Sequence, residues 1–420
     1  MNTLLSPSFA RIAFVLCAWA PLFATGQDDE FSESSDVGLI RVQHGEGIHI
    51  SFPDEQYLFA LEGLAQPGVQ WRTLDLDSTS TLGTFVRRAY MTFRAVDEER
   101  GLTAVVRGDF TQAQPLLDAY IDFRPQPHWW LRFGQFQQIA NNREMLFYEG
   151  NLSMPERSLV SRLFSQTGRE FGVAIGGHWG KEGGLLVRPM LAVTSGDGLN
   201  SFGTLSNDSD RGGLKYAGRL DLLPFGDFDA ESAVDFERTA TVRMAVGIAT
   251  SYNDGASGPV GESHGEWALY DADGNQQLPG YLKNVVDVLA KYRGFTFLGE
   301  YVNAAAFGLD GSYTNAALGT LLMPTEISTY LMLGNAYNAQ MGYCFANGWA
   351  VDARFGQTFP EFAAEQPASQ LQVVDALGGC LTWHRNEQAL KLQLAADYWN
   401  YPDLPTNSGW FMTFQTQIQF

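Results

Sequence analysis

Positively charged side chains recur at every second residue within apolar stretches of this sequence. In the stretch "RRAYMTFRA", Arg88 and Arg94 fall on one side of an extended chain, and Met91 and Phe93 fall on the other. Arginine carries a planar, permanently charged guanidinium that binds oxyanions through paired hydrogen bonds. A row of such side chains can therefore bind anions or pair with carboxylates. The candidate anion contacts on the polar sides are Arg88, Arg94, Arg107, Arg132, Arg188, Lys215, Arg219, Arg243, Lys283, Lys291, Arg354 and Lys391, and Arg124 falls on the same side.

Carboxylates share these polar sides and decide between the two roles. Assigning every polar side to one common surface gives thirteen cations against eight acids, a net charge of +5. Rings of cationic side chains favour anions in pores, whereas opposite charges on neighbouring strands form salt bridges. Both interpretations stay open, and the five lysines after residue 26 provide no dense cluster for phosphate. The acids are Asp109, Asp118, Asp122, Asp221, Asp287, Glu300, Asp352 and Asp397.

The elements that carry these side chains are short alternating runs. From about Gln66 onward, runs of 8–14 residues are separated by Gly, Asp, Asn and Pro clusters, a pattern typical of β-strands and turns. Aromatic residues make up 13% of the chain and 44 residues are glycine, which also favours strands over long helices. Sixteen strands are predicted, at 66–75, 85–95, 101–110, 117–124, 128–136, 169–179, 183–195, 211–222, 239–252, 280–292, 294–305, 326–345, 347–357, 369–384, 388–400 and 409–420.

The links between the runs alternate between short and long. Short turns at one rim and long loops at the other are typical of transmembrane barrels, whose apolar sides face lipid and whose charged sides enclose water. The final run, "WFMTFQTQIQF", keeps an apolar side up to Phe420, as expected for the last strand of such a barrel. The predicted fold is all-β: a sixteen-stranded antiparallel transmembrane β-barrel with short periplasmic turns and long outer loops. Its aromatic girdles are predicted to include Trp129, Trp130, Trp179, Trp349, Trp399 and Trp410.

The N-terminus has the pattern of a cleaved secretory signal. Arg11 precedes an apolar stretch that ends in small residues at 24–26. We therefore expect a signal peptide over 1–26, a polar and loosely attached segment over 27–65, and the barrel over 66–420. Loss of Arg11 with the signal changes the net charge from −20 to −21, which disfavours nucleic-acid binding. The absence of an 18-residue apolar run excludes a helical membrane protein, and Cys344 and Cys380 are too few for a disulfide-stapled scaffold.

Several longer motifs occur in a recognisable order. "FVRRAYMTFRA", "LLDAYIDFRP", "LRFGQFQQIANNRE", "GREFGVAIGG" and "LKYAGRLDLLPFG" lie between residues 85 and 225, and "YRGFTFLGEYV" and "NGWAVDARFG" follow later. Together they resemble the phosphate-selective porin O and P family, over 66–420, with a departure at "QQIANN", where that family usually has Pro-Phe. The resemblance implies a homotrimeric channel in the bacterial cell outer membrane, selective for anions such as phosphate or polyphosphate. The last strand itself resembles that of bacterial outer-membrane proteins, which implies that the outer-membrane assembly machinery recognises Phe420.

The link 137–168 is too long for a simple turn and contains many apolar residues. Because these residues would not tolerate full exposure, we predict that the link folds into the lumen and narrows the pore. Arg143, Arg157 and Arg162 would then lie near the constriction. The alternatives are a cap over the outer rim and a contact within a trimer.

No catalytic or metal-binding spacing is recognised in the sequence. The six histidines are scattered, and no nucleophile elbow, zinc-protease or phosphate-loop motif appears. "DADGN" at 271–275 has Leu282 where a calcium loop needs glutamate, so a hairpin loop is predicted there. The predicted function is a porin, a passive diffusion channel for small hydrophilic solutes, without enzymatic activity, cofactor or metal, whose partners are membrane lipid, small anions and copies of itself. The alternatives are a secreted, soluble all-β carbohydrate-binding protein and a blocked, adhesin-like barrel.

Overall fold

Sixteen antiparallel strands close into one barrel, because the last strand pairs with the first. The structure is a computed structural model and describes residues 34–35, 38–43, 45–52, 57–75, 80–181, 183–202, 213–262, 267–317, 319–362 and 369–420. The predicted signal peptide lies outside the described residues. The barrel strands are β1 (Tyr57–Leu74), β2 (Ser80–Asp97), β3 (Leu102–Asp109), β4 (Leu116–Gln126), β5 (Trp129–Gln137), β6 (Arg169–Gly177), β7 (Leu186–Thr194), β8 (Lys215–Leu223), β9 (Arg243–Asn253), β10 (Gly280–Tyr292), β11 (Phe295–Phe307), β12 (Gly334–Cys344), β13 (Trp349–Pro360), β14 (Val374–Arg385), β15 (Leu390–Asn400) and β16 (Gly409–Gln419).

The links between strands separate by length, as predicted. We call the rim with the long links the outer rim and the opposite rim, where β1 begins, the inner rim. At the inner rim, β10 and β11 are joined by Arg293 and Gly294, whose φ angles of 51° and 88° form a two-residue turn that matches the twist of the strands. One inner link departs from the prediction, because residues 224–242 form a long segment there.

Two predicted strand starts were wrong by eight residues or more, for different reasons. β12 begins at Gly334 and not at 326, because Pro324 opens a 3-10 helix, Pro324–Thr329, and proline suits the first position of a helical turn. β1 begins at Tyr57, nine residues before the predicted start of the barrel. Its first five residues, Tyr57–Leu61, are consecutively apolar or aromatic, so no alternation marks the start of this strand in the sequence.

The barrel presents apolar side chains outward and polar side chains inward. Leu191, Leu377 and Ile248 are 64%, 58% and 53% exposed on the outer surface, where a bilayer would cover them. The alternation confirms the predicted assignment of faces. Trp129, Trp179, Trp349 and Trp410 are exposed on this surface, whereas Trp130 and Trp399 pack against buried clusters inside the barrel, so the girdle prediction was wrong for these two. They lie two residues from Arg132 and Asp397 and share their inward side.

An N-terminal hairpin continues the sheet at the inner rim. Its strands, Gly38–Gln43 and Gly47–Ser51, are antiparallel, and the second pairs with the lower part of β1 through Ile48–Leu61 and Ser51–Leu58. A two-residue strand, Ser34–Ser35, extends the first. The described part of 27–65, which the sequence analysis assigned to a loosely attached segment, is therefore bound to the barrel by backbone hydrogen bonds.

The C-terminal residue completes the seam between β16 and β1. The Gly63 amide donates to the Phe420 carbonyl at 2.6 Å, and the Phe420 amide donates to the Gly63 carbonyl at 3.0 Å. The Phe420 ring is half exposed on the outer surface. A terminal aromatic ring is thus displayed at the edge of the closed barrel.

Replacing Phe420 with serine should lower the yield of folded barrel in cells severalfold, because the assembly machinery is predicted to bind this ring. Refolding of the purified chain in detergent should change little, since the backbone pairing with Gly63 remains. Heat-modifiable gel mobility measures the folded fraction in both cases. The matched control is Met412→Ser, which removes another outward side chain of β16; equal yields for the two variants would contradict the prediction.

Residues 224–242, which we call the inner segment, fold against the end of the lumen. The Lys291 ammonium group donates to the carbonyls of Asp229 and Val234 at 2.7 and 3.0 Å, and the Gly294 amide donates to Asp235 at 2.7 Å. At the other end, Ala256, Leu269, Leu322, Ile327 and Leu331 of two outer links are buried in one apolar cluster. The barrel interior is therefore more filled than an open channel.

Smaller features agree with the sequence analysis. Leu269–Tyr270 pairs with Gln276–Gln277, which confirms the hairpin predicted at 271–275. Cys344 and Cys380 are both free and buried. A further 3-10 helix spans Pro405–Asn407. No helix among the described residues is long and apolar enough to cross a membrane.

Candidate functional site

The candidate site is built around residues 138–168, which we call the inward loop. It leaves β5 at the outer rim, enters the lumen and returns to β6, with two short helices, α1 (Arg143–Leu146) and α2 (Leu159–Ser165), and a 3-10 turn, Glu149–Asn151. The Ser158 hydroxyl caps α2 by accepting from the Ser161 amide at 3.3 Å. Met145, Phe147, Leu152, Val160 and Phe164 are buried. The structure therefore places this segment inside the barrel and not over the rim.

The inward loop crosses the lumen from β5 to the opposite wall, where Arg354 of β13 donates to the Glu156 carbonyl at 2.6 Å. Asn142 and the Glu144 amide donate to the Glu300 carboxylate of β11 at 2.9 and 2.8 Å. The Lys391 ammonium group of β15 donates to the carbonyls of Gly150 and Leu152 at 2.7 and 2.8 Å. The loop thus spans the lumen and is fixed to β11, β13 and β15.

Four buried charges fix α1 to the wall. We call Arg143, Arg219, Asp221 and Asp287 the charge square. Arg143 donates to both aspartates at 2.7 Å, and Arg219 donates to them at 2.8–2.9 Å. Asp221 on β8 and Asp287 on β10 approach each other across Gly247 of β9, where a Cβ atom would collide with Arg219 and Asp287. Each carboxylate therefore has two arginine partners.

Most other predicted cations of the lumen are also paired. Arg107 pairs with Asp118 at 3.2 Å, and Arg132 holds Asp122 at 2.6 and 2.8 Å. Lys215 contacts Glu170 and Glu262, both at 2.7 Å, in agreement with the cross-strand alternative of the sequence analysis. Among the described residues, the remaining predicted cations also have partners, with Arg124 as the exception, since it is exposed near the inner rim. Five of them form ion pairs: Arg88 with Glu156, Arg94 with Glu62, Arg188 with Asp227, Lys291 with Asp229 and Arg354 with Asp397. Three donate hydrogen bonds to uncharged oxygens: Arg243 to the Phe225 carbonyl, Lys283 to Asn141 and the Phe164 carbonyl, and Lys391 to backbone carbonyls.

A cavity of about 500 Å³ remains between the inward loop and the wall of β2 to β4. We call it the arginine cavity, because five arginines and three carboxylates line it. The excess of arginine gives the lining a formal charge of +2. The charged lining residues are Arg87, Arg88, Arg157, Arg162, Arg169, Asp109, Glu149 and Glu156.

A β-bulge places two consecutive arginines in this cavity. Opposite Ala65 and Pro67 of β1, the register of β2 gains one residue between Val86 and Ala89. Such a bulge breaks strict alternation, so Arg87 and Arg88 both face inward and both pair with Glu156. Alternation assigned Arg87 to the lipid side and therefore missed it. The sequence signal was the Arg-Arg pair itself, since one of two adjacent arginines would otherwise face lipid.

Arg162 is the cation of this cavity with the most freedom to bind a solute. Its side chain is exposed and its guanidinium lies 5.0 Å from the centre of the Trp399 ring. It makes no ion pair with any residue that the structure describes.

Glu156, in contrast, is surrounded by arginines. Burial alone would raise its pKa, but the positive charges of Arg88, Arg87 and Arg162 outweigh burial and lower the pKa below its usual range. Glu156 is therefore ionised and offsets part of the arginine charge.

Comparison with solved structures supports the barrel architecture. No protein-family model and no curated protein matches the chain, so the resemblance to the phosphate-selective family stays a prediction. Among solved structures, the chain is similar to Salmonella typhi OmpF in complex with daunomycin, with 12% identity, a TM-score of 0.52, and coverage of 87% of this chain and 99% of that one. A loop L8 deletion mutant of OmpT, an outer-membrane protein of Vibrio cholerae, gives 8% identity, a TM-score of 0.50, and coverage of 87% and 100%. The fold is that of an outer-membrane barrel of the porin type.

Proposed function

We propose that this chain is a narrow outer-membrane porin through which small hydrophilic solutes diffuse passively, with a preference for anions. The observation that carries the proposal is the arginine cavity, a charged space beside the inward loop of a closed barrel. The outward apolar surface supports a lipid environment, as expected for the bacterial cell outer membrane. We infer a channel and not an enzyme, because most charged groups of the lumen are held in ion pairs or by hydrogen bonds to the protein.

The anion preference rests on Arg162 and on the excess of arginine around it. A cationic side chain beside the path of a solute raises the local concentration of anions and excludes cations. Phosphate selectivity has less support, because Lys215, Lys283, Lys291 and Lys391 are each buried and hydrogen-bonded to the protein. We therefore propose that the channel favours anions in general. Its selectivity for phosphate over other anions is measured in the test below.

The test is a planar-bilayer recording of the purified protein. In a potassium chloride gradient, the sign of the reversal potential gives the anion preference, and a phosphate gradient then ranks phosphate against chloride. Cation-carried current would reject the anion preference while leaving the channel intact. Absence of conductance would reject the channel.

Two substitutions in the arginine cavity should shift the reversal potential in opposite directions. Glu156→Gln removes the charge that offsets Arg87 and Arg88 and should strengthen the anion preference. Arg162→Gln removes the unpaired cation and should weaken it. The control is Arg100→Gln, which removes an exposed arginine of an inner-rim turn that is paired with Asp97 and should leave selectivity unchanged. A shift of the same sign in both cavity variants would contradict the prediction.

A second function is favoured by the filling of the lumen. The inward loop spans the barrel, and the amide of Ala233 in the inner segment donates to the carbonyl of Asn151 in that loop at 3.2 Å. These contacts suit a closed barrel whose outer links bind a partner. We keep this as the alternative, and bilayer conductance separates it from the porin.

A further inference from the structure

Two histidines that are fifty residues apart in sequence meet at the inner rim. His128 precedes β5 and His178 follows β6. The Nδ1 atom of His128 lies 3.3 Å from the Nε2 atom of His178, and the two ring centres are 5.0 Å apart at an interplanar angle of 76°. Both side chains are exposed. Neither residue belongs to the inward loop, the charge square or the arginine cavity.

The backbone holds this pair in place. β5 and β6 are antiparallel neighbours with Trp129 opposite Gly177, and the His178 amide donates to the His128 carbonyl at 3.1 Å. On the next residues, the rings of Trp129 and Trp179 pack edge to face with centres 4.9 Å apart. The two imidazoles therefore start from a fixed spacing, which lowers the entropic cost of binding one ligand with both.

The distance between the two imidazole nitrogens equals the distance between two ligand atoms that are bound to one metal ion. Zinc binds imidazole nitrogen at about 2.0–2.1 Å in tetrahedral geometry, which places two such nitrogens about 3.3 Å apart. Imidazole is a preferred ligand of zinc, copper and nickel. We propose that His128 and His178 bind one divalent transition-metal ion, such as Zn²⁺ or Cu²⁺, at the inner rim.

The surroundings of the pair define what kind of metal site this is. Among the described residues, no group of three or more His, Cys, Asp or Glu side chains could hold a metal ion. Water completes the coordination, because both imidazoles are open to solvent. The site is therefore exchangeable and serves no structural role in the barrel. A direct hydrogen bond between the two imidazoles would give the same distance without a bound metal ion, and this is the alternative to the metal site.

Tryptophan fluorescence provides the test, because Trp129 and Trp179 adjoin the two histidines. Titration of the folded barrel in detergent with Cu²⁺ should give saturable quenching with one ion per chain, reversed by EDTA and competed by Zn²⁺. His128→Gln or His178→Gln should weaken binding by roughly tenfold or more, because the second imidazole no longer acts at high effective concentration. The control His49→Gln removes a partly exposed histidine of the N-terminal hairpin and should change nothing.

Three results would overturn the proposal. Quenching that does not saturate in the unmodified protein would exclude a defined site. Saturable quenching that persists when His128→Gln and His178→Gln are combined, or that weakens equally in His49→Gln, would place the copper elsewhere. Electron paramagnetic resonance of the unmodified protein with one equivalent of Cu²⁺ should show two nitrogen ligands, and a spectrum with one or none would refute the site without reference to any variant.

Discussion

Deletion of residues 143–160 is expected to raise single-channel conductance severalfold. The deleted part includes α1, the 3-10 turn and the start of α2, and it carries the contacts to Glu300 of β11, Arg354 of β13 and Lys391 of β15. Without it, residues 138–142 and 161–168 form a short link that can lie against the wall, and the main path of the loop across the lumen is removed. Water then enters and solvates the wall charges that the loop covered, so their exposure does not prevent folding.

The geometry of the loop makes this deletion practicable. The side chains of Asn142 and Ser161 are hydrogen-bonded at 2.7 Å, so a two-glycine linker can join the new ends without distorting β5 or β6. The matched control shortens the exposed turn 271–275, whose ends are already joined by a backbone hydrogen bond from Asp271 to Asn275 at 2.9 Å. The control should conduct like the parent. An unchanged conductance in the loop deletion would show that the inward loop does not limit the flow of ions.

Replacing Asp287 with alanine should give the largest loss of stability among single substitutions. The carboxylate is fully buried and accepts from both Arg143 and Arg219. Its removal leaves two buried guanidinium groups to share Asp221, and breaking a buried ion pair in this way costs about 3–5 kcal/mol. The free energy of unfolding in urea, measured in lipid vesicles, checks this value.

An exposed ion pair of the same chemistry provides the control for Asp287. Asp227 pairs with Arg188 at the inner rim, and its side chain is 66% exposed. Asp227→Ala should therefore change stability by about 0–1 kcal/mol. A loss at Asp287 no larger than the loss at Asp227 would mean that water solvates the charge square, in which case this part of the lumen is wet.

The strand order and the facing of most side chains could be predicted from the sequence, because both depend on local alternation. Alternation placed Arg219 and Asp287 on the inner side without knowledge of their partners. It could not show that Arg143, 76 residues before Arg219, would join them, because a loop carries no periodic signal about which wall it contacts. The pairing of these charges was therefore left open between anion contacts and salt bridges.

Bulges limit this kind of prediction in a specific way. A single inserted residue reverses the facing of everything beyond it, which moved Arg87 inward. The same effect acts at Leu117, where β4 gains a residue opposite Arg107 and Gly108, so that Leu117 is buried with Leu64 and Tyr90. The Arg-Arg pair marks the first bulge, whereas no residue type marks the one at Leu117. The inner segment was missed for a related reason, because its few apolar residues have no strand period.

The N-terminal hairpin has a consequence for how the cylinder is closed. Its strand Gly47–Ser51 occupies the edge of β1 directly below Phe420, in line with β16. A shift of β16 by two residues toward the inner rim would bring its end against Gly47. The hairpin thus blocks any slippage of the last seam toward the inner rim, and so limits the stagger that determines the diameter of the finished tube.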